Sequence, residues 1–312
     1  MADGPDIVGA RTRVEGRVWR TPVLHVDALD EACGRELWLK PECLQRTGSF
    51  KFRGATNAVA RLPQGTLGVV CISSGNHAQA VARAAREAGI RCLAVMPVDS
   101  NPSKIAATLA YGAEVEREGV TAENREQVGA ARAAERGWPL IHPFDDWDVL
   151  SGQGTAALEL LEDAPELDSI VTPIGGGGLL SGTALACAES APGVAVWGAE
   201  PASGDDAHRS LAAGARVRLE RAPQTIADGV RTLQVGERPF SILRDGCAGI
   251  ALVEDDALRE ALAIVWSRTK LVIEPTSALP IAAVLQGAIP GRRIGVVLSG
   301  GNVDAERVAG RV

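Results

Sequence analysis

Strand-length runs of β-branched and apolar residues alternate with helix-period stretches along most of this chain. Val69–Ser73 leads into an alanine-rich helix over Asn76–Ala88, Cys92–Met96 into Ser103–Tyr111, and Glu114–Glu116 into Ala122–Arg136. Leu140–Pro143 reaches a helix near Gly152–Leu161; Ser169–Ile174 enters Leu179–Glu189, Val194–Ala199 enters Asp205–Ala213, and Ile294–Leu298 closes the set. Such alternation predicts an α/β fold of two open, twisted, mostly parallel sheets flanked by helices. No fixed-period repeat, low-complexity tract or linker interrupts the pattern, so two domains are expected to share chain segments rather than lie end to end.

Composition narrows the function classes. The chain has 312 residues with a formal net charge of −7 and only 4% aromatics. An acidic chain poor in aromatics is a bad match for a nucleic-acid or anionic-membrane surface. The first residues carry acid rather than a basic, apolar leader, and the longest apolar runs, such as Cys92–Val98, are of strand length. Cys33, Cys43, Cys71, Cys92, Cys187 and Cys247 are scattered without a CxxC pair, which predicts reduced thiols and a cytoplasmic setting.

Ligands in open parallel sheets sit beyond the carboxyl ends of the strands, and four glycine and polar clusters are candidates: Thr47–Gly54, Ser73–His77, Gly175–Gly178 and Leu298–Asn302. Gly175, Gly176, Gly177 and Gly178 follow an apolar strand and open a helix whose unpaired N–H groups suit a phosphate; tight packing alone would also call for glycines. Ser73-Ser-Gly-Asn-His77 repeats the arrangement, with helix capping as the plainer reading. Two anion cradles together suggest a ligand with a phosphate at one end and a carboxylate at the other. Lys51, between Phe50 and Phe52 in a glycine-flanked turn, is placed to be desolvated by its neighbours and to act as a nucleophilic amine.

Pro41-Glu-Cys-Leu-Gln-Arg-Thr-Gly-Ser-Phe-Lys-Phe-Arg-Gly-Ala55 resembles the cofactor-lysine segment of serine/threonine dehydratases and serine racemases, pyridoxal-phosphate enzymes of the tryptophan-synthase-β fold. The resemblance runs on through Ser73–Ala80, His142–Asp146, Ser151–Thr155, the glycine tetrad, Ile226–Val230, Glu274–Ala278 and Leu298–Asp304. It implies that Lys51 carries pyridoxal phosphate and moves the substrate Cα proton, with Ser74 as acid/base on the opposite face. Asn76 would contact the cofactor's 3′-oxygen, the tetrad with Leu179 its phosphate, and Ser299 its pyridine nitrogen; Phe50 and Gly229 would lie on the ring faces. Ser73, Ser74, Gly75, Asn76 and His77 would surround the substrate carboxylate, with Arg125 and Thr232 near the substrate. The same resemblance implies a large cofactor domain, 1–66 and 146–312, a small substrate domain, 67–145, and a homodimer.

Glu200, the Gly204 carbonyl and Asp206 match a divalent-cation site of the racemase branch, and hard oxygen ligands favour Mg²⁺, Ca²⁺ or Mn²⁺. An acid-decorated helix start reads the same way. A hydroxyl at Ser299, unlike a carboxylate, would not hold the pyridine nitrogen protonated, which favours α,β-elimination. Phe144 resembles the dehydratase form, Ala78 replaces a common glycine, and Thr232 and Gln234 leave the substrate's β-substituent open. Nine residues follow Val303, too few for a regulatory domain. The expected activity is therefore conversion of L-threonine, L-serine or a related 3-hydroxy amino acid to a 2-oxo acid and ammonia. A serine or aspartate racemase using Lys51 and Ser74, and a non-catalytic cofactor-binding protein, are the alternatives.

Overall fold

The computed structural model describes residues 4–164 and 166–304. Ten strands form two sheets: β1 (Leu24–His25), β2 (Glu36–Pro41), β3 (Gly68–Ile72), β4 (Arg91–Val95), β5 (Glu114–Glu116), β6 (Leu140–Ile141), β7 (Ser169–Pro173), β8 (Ala195–Pro201), β9 (Gly249–Val253) and β10 (Arg293–Leu298). The larger sheet has the order β1-β2-β10-β7-β8-β9 and the smaller β5-β4-β3-β6. Only β1 and β2 pair antiparallel; every other ladder is parallel, as the strand-helix alternation requires.

The smaller sheet comes from one continuous stretch, whereas the larger one joins β2 to β10 across most of the chain, in the register Arg293↔Glu36 to Leu298↔Pro41. All of β3 and β7 is buried, which explains why neither carries a charge and β3 reads as an uninterrupted apolar run. Helix boundaries follow their caps. The helix expected from Gly152 begins at Trp147, because Asp146 accepts the N–H groups of Asp148 and Val149. The helix expected from Ser103 begins at Pro102, with Asn101 as its cap. The one expected from Ala122 begins at Arg125.

Beneath the helix Lys51–Ala60 lies a buried ionic cluster. Arg53 grips both oxygens of Glu42, at 2.7 and 2.8 Å, and both oxygens of Glu159, each at 2.8 Å. Lys40 on β2 joins the same Glu159 at 2.6 Å. The cluster fixes the start of that helix, and with it Lys51, against β2 and the helix Trp147–Asp163.

Candidate active site

The strand ends of both sheets open on one cleft of about 900 Å³. Every residue expected to hold cofactor or substrate lines it: Phe50 and Lys51 at a helix start, the loop Ser73 to His77 beyond β3, Arg125, the glycine tetrad with Leu179 beyond β7, Gly229 and Thr232, and Ser299 just past β10.

Lys51 Nζ donates to the Pro143 carbonyl at 2.8 Å and stands 5.1 Å from the Phe50 ring centroid. Burial, then the Arg125 charge, push its ammonium down to about 8, against the pull of Glu274. The desolvation differs in origin from the sequence expectation. Phe52 points into the core of the smaller unit, so only Phe50 adjoins the amine.

Ser73 Oγ accepts from the Gly75 N–H at 3.0 Å, and Ser74 Oγ accepts from Arg125 Nη1 at 3.2 Å. The helix Asn76–Glu87 begins without a side-chain cap, leaving first-turn N–H groups beside the cleft. The His77 ring is not suited to a carboxylate. Its Nε2 donates to the Ile141 carbonyl at 3.0 Å, burial pushes its pKa down to about 3, and the remaining Nδ1 is an acceptor. His77 can meet an anion through its backbone N–H instead.

The glycine tetrad answers to packing as well as to a ligand. A Cβ on Gly176 would lie 2.3 Å from the Phe144 ring, one on Gly175 2.9 Å from Val230 Cα, and one on Gly177 2.7 Å from Pro239 Cβ. Gly177 also sits at φ 92°, in the left-handed region, and starts the helix Gly178–Ser190 with no side-chain cap. The uncapped helix start is a phosphate-sized positive terminus facing the cleft. Pyridoxal phosphate fits the wall as a whole: a depressed amine, an open helix terminus and, buried past β10, the Ser299 hydroxyl, 3.0 Å from Ser277 Oγ.

Sequence reasoning missed an ionic group in the same wall. Lys104, Asp228 and Glu274 meet there, and Asn76 joins them through Glu274. Glu274 lay within a quoted motif, but Lys104 in Asn-Pro-Ser-Lys reads as an ordinary exposed lysine at a helix start. A second cavity of about 560 Å³ adjoins the cleft; it shares Arg125, Phe144 and Thr232, and adds Arg216, Arg218 and Gln234. Thr232 is 9% exposed and its hydroxyl has no partner among the described residues.

Glu200, Gly204 and Asp206 lie outside the cleft, at the end of β8, in the turn Ala202–Gly204 and at the start of the helix Asp206–Ala213. Burial pushes the Glu200 carboxyl up to about 9 and the Asp206 carboxyl up to about 7. Asp206 Oδ2 has no hydrogen-bond partner among the described residues, while Glu200 Oε1 accepts from the His208 N–H at 2.7 Å. The two carboxyls are hard oxygen donors of the kind a divalent ion takes, although no group of three ligating side chains forms among the described residues.

A family model described as "Pyridoxal-phosphate dependent enzyme" matches residues 14–300. The L-threo-3-hydroxyaspartate ammonia-lyase of Saccharomyces cerevisiae is 43% identical over 97% of this chain and 94% of its own length. The serine racemase of Dictyostelium discoideum is 42% identical over 97% of this chain and 96% of its own. Among solved structures, that of T.th. threonine deaminase is 50% identical with a TM-score of 0.92, covering 96% of this chain and 97% of that one.

Proposed function

Since this chain belongs to the pyridoxal-phosphate dependent enzyme family, we propose that it is an ammonia-lyase converting an L-3-hydroxy amino acid to a 2-oxo acid and ammonia. Pyridoxal phosphate, when bound, supplies the electron sink that makes the substrate Cα–H acidic. The residues that would hold it are Lys51, Phe50, Asn76, the tetrad with Leu179, Gly229 and Ser299. The observation that carries the reading is the amine of Lys51, depressed to about 8 inside a cleft whose wall also includes the Arg125-bound Ser74 hydroxyl.

Lys51, neutral for a substantial part of the time near pH 8, can take the Cα proton. The β-hydroxyl then leaves as the Cβ–O bond breaks and departs with a proton as water; hydrolysis of the released enamine returns one water and gives the oxo acid and ammonia. First-turn N–H groups after Gly75 bind the α-carboxylate. At Ser299 a neutral hydroxyl withholds the full charge that would delocalise the carbanion, which favours expulsion of the β-substituent.

Racemisation is the second reading. Arg125 donates to Ser74 Oγ, which leaves the serine proton free to be given and stabilises the oxygen that remains. The substrate side of the cleft favours a β-carboxylate over a methyl group: Arg125 and the unpartnered Thr232 hydroxyl stand where the cleft meets the arginine-lined second cavity. On this reading 67–145 forms the small substrate domain and 1–66 with 146–312 the large one, in a cytoplasmic homodimer. Mg²⁺, Ca²⁺ or Mn²⁺ is held by Glu200, the Gly204 carbonyl and Asp206. Among the described residues no helix is long and apolar enough to cross a membrane.

The test is product analysis of the cofactor-loaded protein with L-serine, L-threonine and L-threo-3-hydroxyaspartate, reading oxo acid and substrate chirality together. Oxo acid from at least one substrate, with 3-hydroxyaspartate preferred, is expected. Chirality loss without oxo acid would replace the lyase by the racemase, and neither product from any of the three would overturn both.

A further inference from the structure

Lys104 is the one fully engaged cation in the cleft wall with no part in the chemistry above. It is 4% exposed, and its Nζ stands 2.7 Å from Asp228 Oδ2 and 3.2 Å from Glu274 Oε2. The helix that carries it, Pro102–Ala110, follows β4 of the smaller sheet, whereas Asp228 and Glu274 belong to the chain between β8 and β10. Its stem fills the space beside Gly75, where an added Cβ would come within 2.3 Å of Lys104 Cδ.

Glu274 is 2% exposed and spends its other oxygen on Asn76: Oε1 accepts from Asn76 Nδ2 at 2.7 Å. Asn76 Oδ1 accepts from Asn302 Nδ2 at 3.0 Å. The amide of Asn76 is thus held from two sides, and one of its N–H bonds remains uncommitted on a residue that lines the cleft.

Glu274 anchors that amide on its N–H side, and Asn302, whose Nδ2 also donates to the Thr47 carbonyl, anchors it on its oxygen side. An ionised carboxylate only accepts, so it demands an N–H from Asn76; a protonated carboxyl also donates and no longer demands it. The groups bearing on Glu274 are Lys104 and Asn76 in contact, with Asp228 beyond Lys104 and Lys51 and the Cys43 thiol acting through their charge. Burial and the Asp228 charge push the Glu274 carboxyl up, and Lys104 is the largest influence holding it down. Without that ammonium a carboxylate so buried would take up a proton.

We propose that Lys104 is a positioning residue for the cofactor, keeping Glu274 ionised so that Asn76 presents an N–H to bound pyridoxal phosphate. The inference rests on the pyridoxal-phosphate reading and adds to it a residue that touches neither cofactor nor substrate.

Cofactor affinity of the apo-protein and the pH dependence of the bound cofactor's visible band test it, neither needing turnover. Wild type is expected to bind tightly with a band less sensitive to pH than that of a variant lacking the ammonium. Lys104→Met, which keeps the stem and removes the charge, should bind cofactor about 10- to 100-fold more weakly, the range for losing a hydrogen bond to a charged group. Its band should also change with pH. Glu274→Gln, a neutral isostere, should bind cofactor as weakly but with a band that this position no longer makes pH-dependent, and its affinity decides the matter should Lys104→Met fail to fold. Wild-type affinity in the folded variants, or a Lys104→Met band as insensitive to pH as that of the wild type, would overturn the inference, because a lysine that merely fills space would leave both unmoved. A wild type that takes up no cofactor would sink the pyridoxal-phosphate reading itself, and this inference with it.

Discussion

Lys51 holds its proton in water and gives it up readily in the cleft, because burial and the Arg125 charge both act against an ammonium there. A neutral amine is the form that attacks an aldehyde. Apo-protein should therefore take up pyridoxal phosphate faster as pH rises through about 8, rather than through the 10.5 of a solvated lysine. Stopped-flow absorbance measures this, and a rate still climbing only near 10.5 would mean that the amine is solvated. Ser74→Ala should divide the two activities. Racemisation needs a proton donor opposite Lys51 and should fall by about 10²- to 10⁴-fold, the range for lost acid/base catalysis, while elimination falls less. Chiral chromatography beside an oxo-acid assay reads both, and equal losses would make Ser74 a substrate-positioning group. At this scale the site was legible because its chemistry sits in short contiguous words such as Ser49-Phe-Lys-Phe-Arg-Gly54 and Ser73-Ser-Gly-Asn-His77. Lys104 was not, since its partners Asp228 and Glu274 lie more than a hundred residues away and no local pattern marks a lysine that will be buried.

At the level of elements, the start of the helix Lys51–Ala60 is fixed by charge in the interior. Arg53 and Glu42 are both fully buried, so Arg53→Leu leaves the Glu42 carboxylate without its guanidinium, held by the Thr21 hydroxyl. The expected loss is about 3–5 kcal/mol of unfolding free energy, read by urea denaturation. Arg83→Ala, which removes a half-exposed pair with Glu87 one helical turn on and the guanidinium's place over the Phe52 and Tyr111 rings, should cost about 1 kcal/mol in the same assay. Comparable losses from the two would mean that the inner cluster is hydrated. The same cluster explains an omission from the sequence reading. Glu36–Pro41 reads Glu-Leu-Trp-Leu-Lys-Pro, and its ends look like solvated charge, yet Lys40 is wholly buried on Glu159. Gly249–Val253 also escaped notice, because a five-residue apolar run directly before an acidic helix start can be strand or helix edge. By contrast β3, β4 and β7, apolar from end to end or nearly so, declared themselves.

Across the whole molecule, Glu200 and Asp206, buried and outside the cleft lining, are the acids that would hold the proposed ion. Mg²⁺ should raise the melting temperature, and EDTA should lower melting temperature and activity together, since a ligand of the folded state alone stabilises it by mass action. Asp206→Ala should melt like the chelated protein and ignore added metal. Melting that EDTA leaves unchanged would reduce Glu200 and Asp206 to a helix start favoured by its dipole. The two-sheet architecture followed from strand-helix alternation, whereas the strand order did not, because nothing local in Arg293–Leu298 says that it lies between β2 and β7. That placement bears on how the protein is made. Residues 68–141 contain every strand of the smaller sheet and can fold while the ribosome is still at work. The larger sheet stays split, with β1 and β2 on one side of a gap and β7, β8 and β9 on the other, until β10 has emerged. Ser299 follows β10 directly, and Phe50 donates its N–H to the Ser299 carbonyl at 3.0 Å. The nascent chain therefore carries Lys51, its most reactive amine, for most of synthesis without the floor that would seat a cofactor against it, and competence arrives in a single late event.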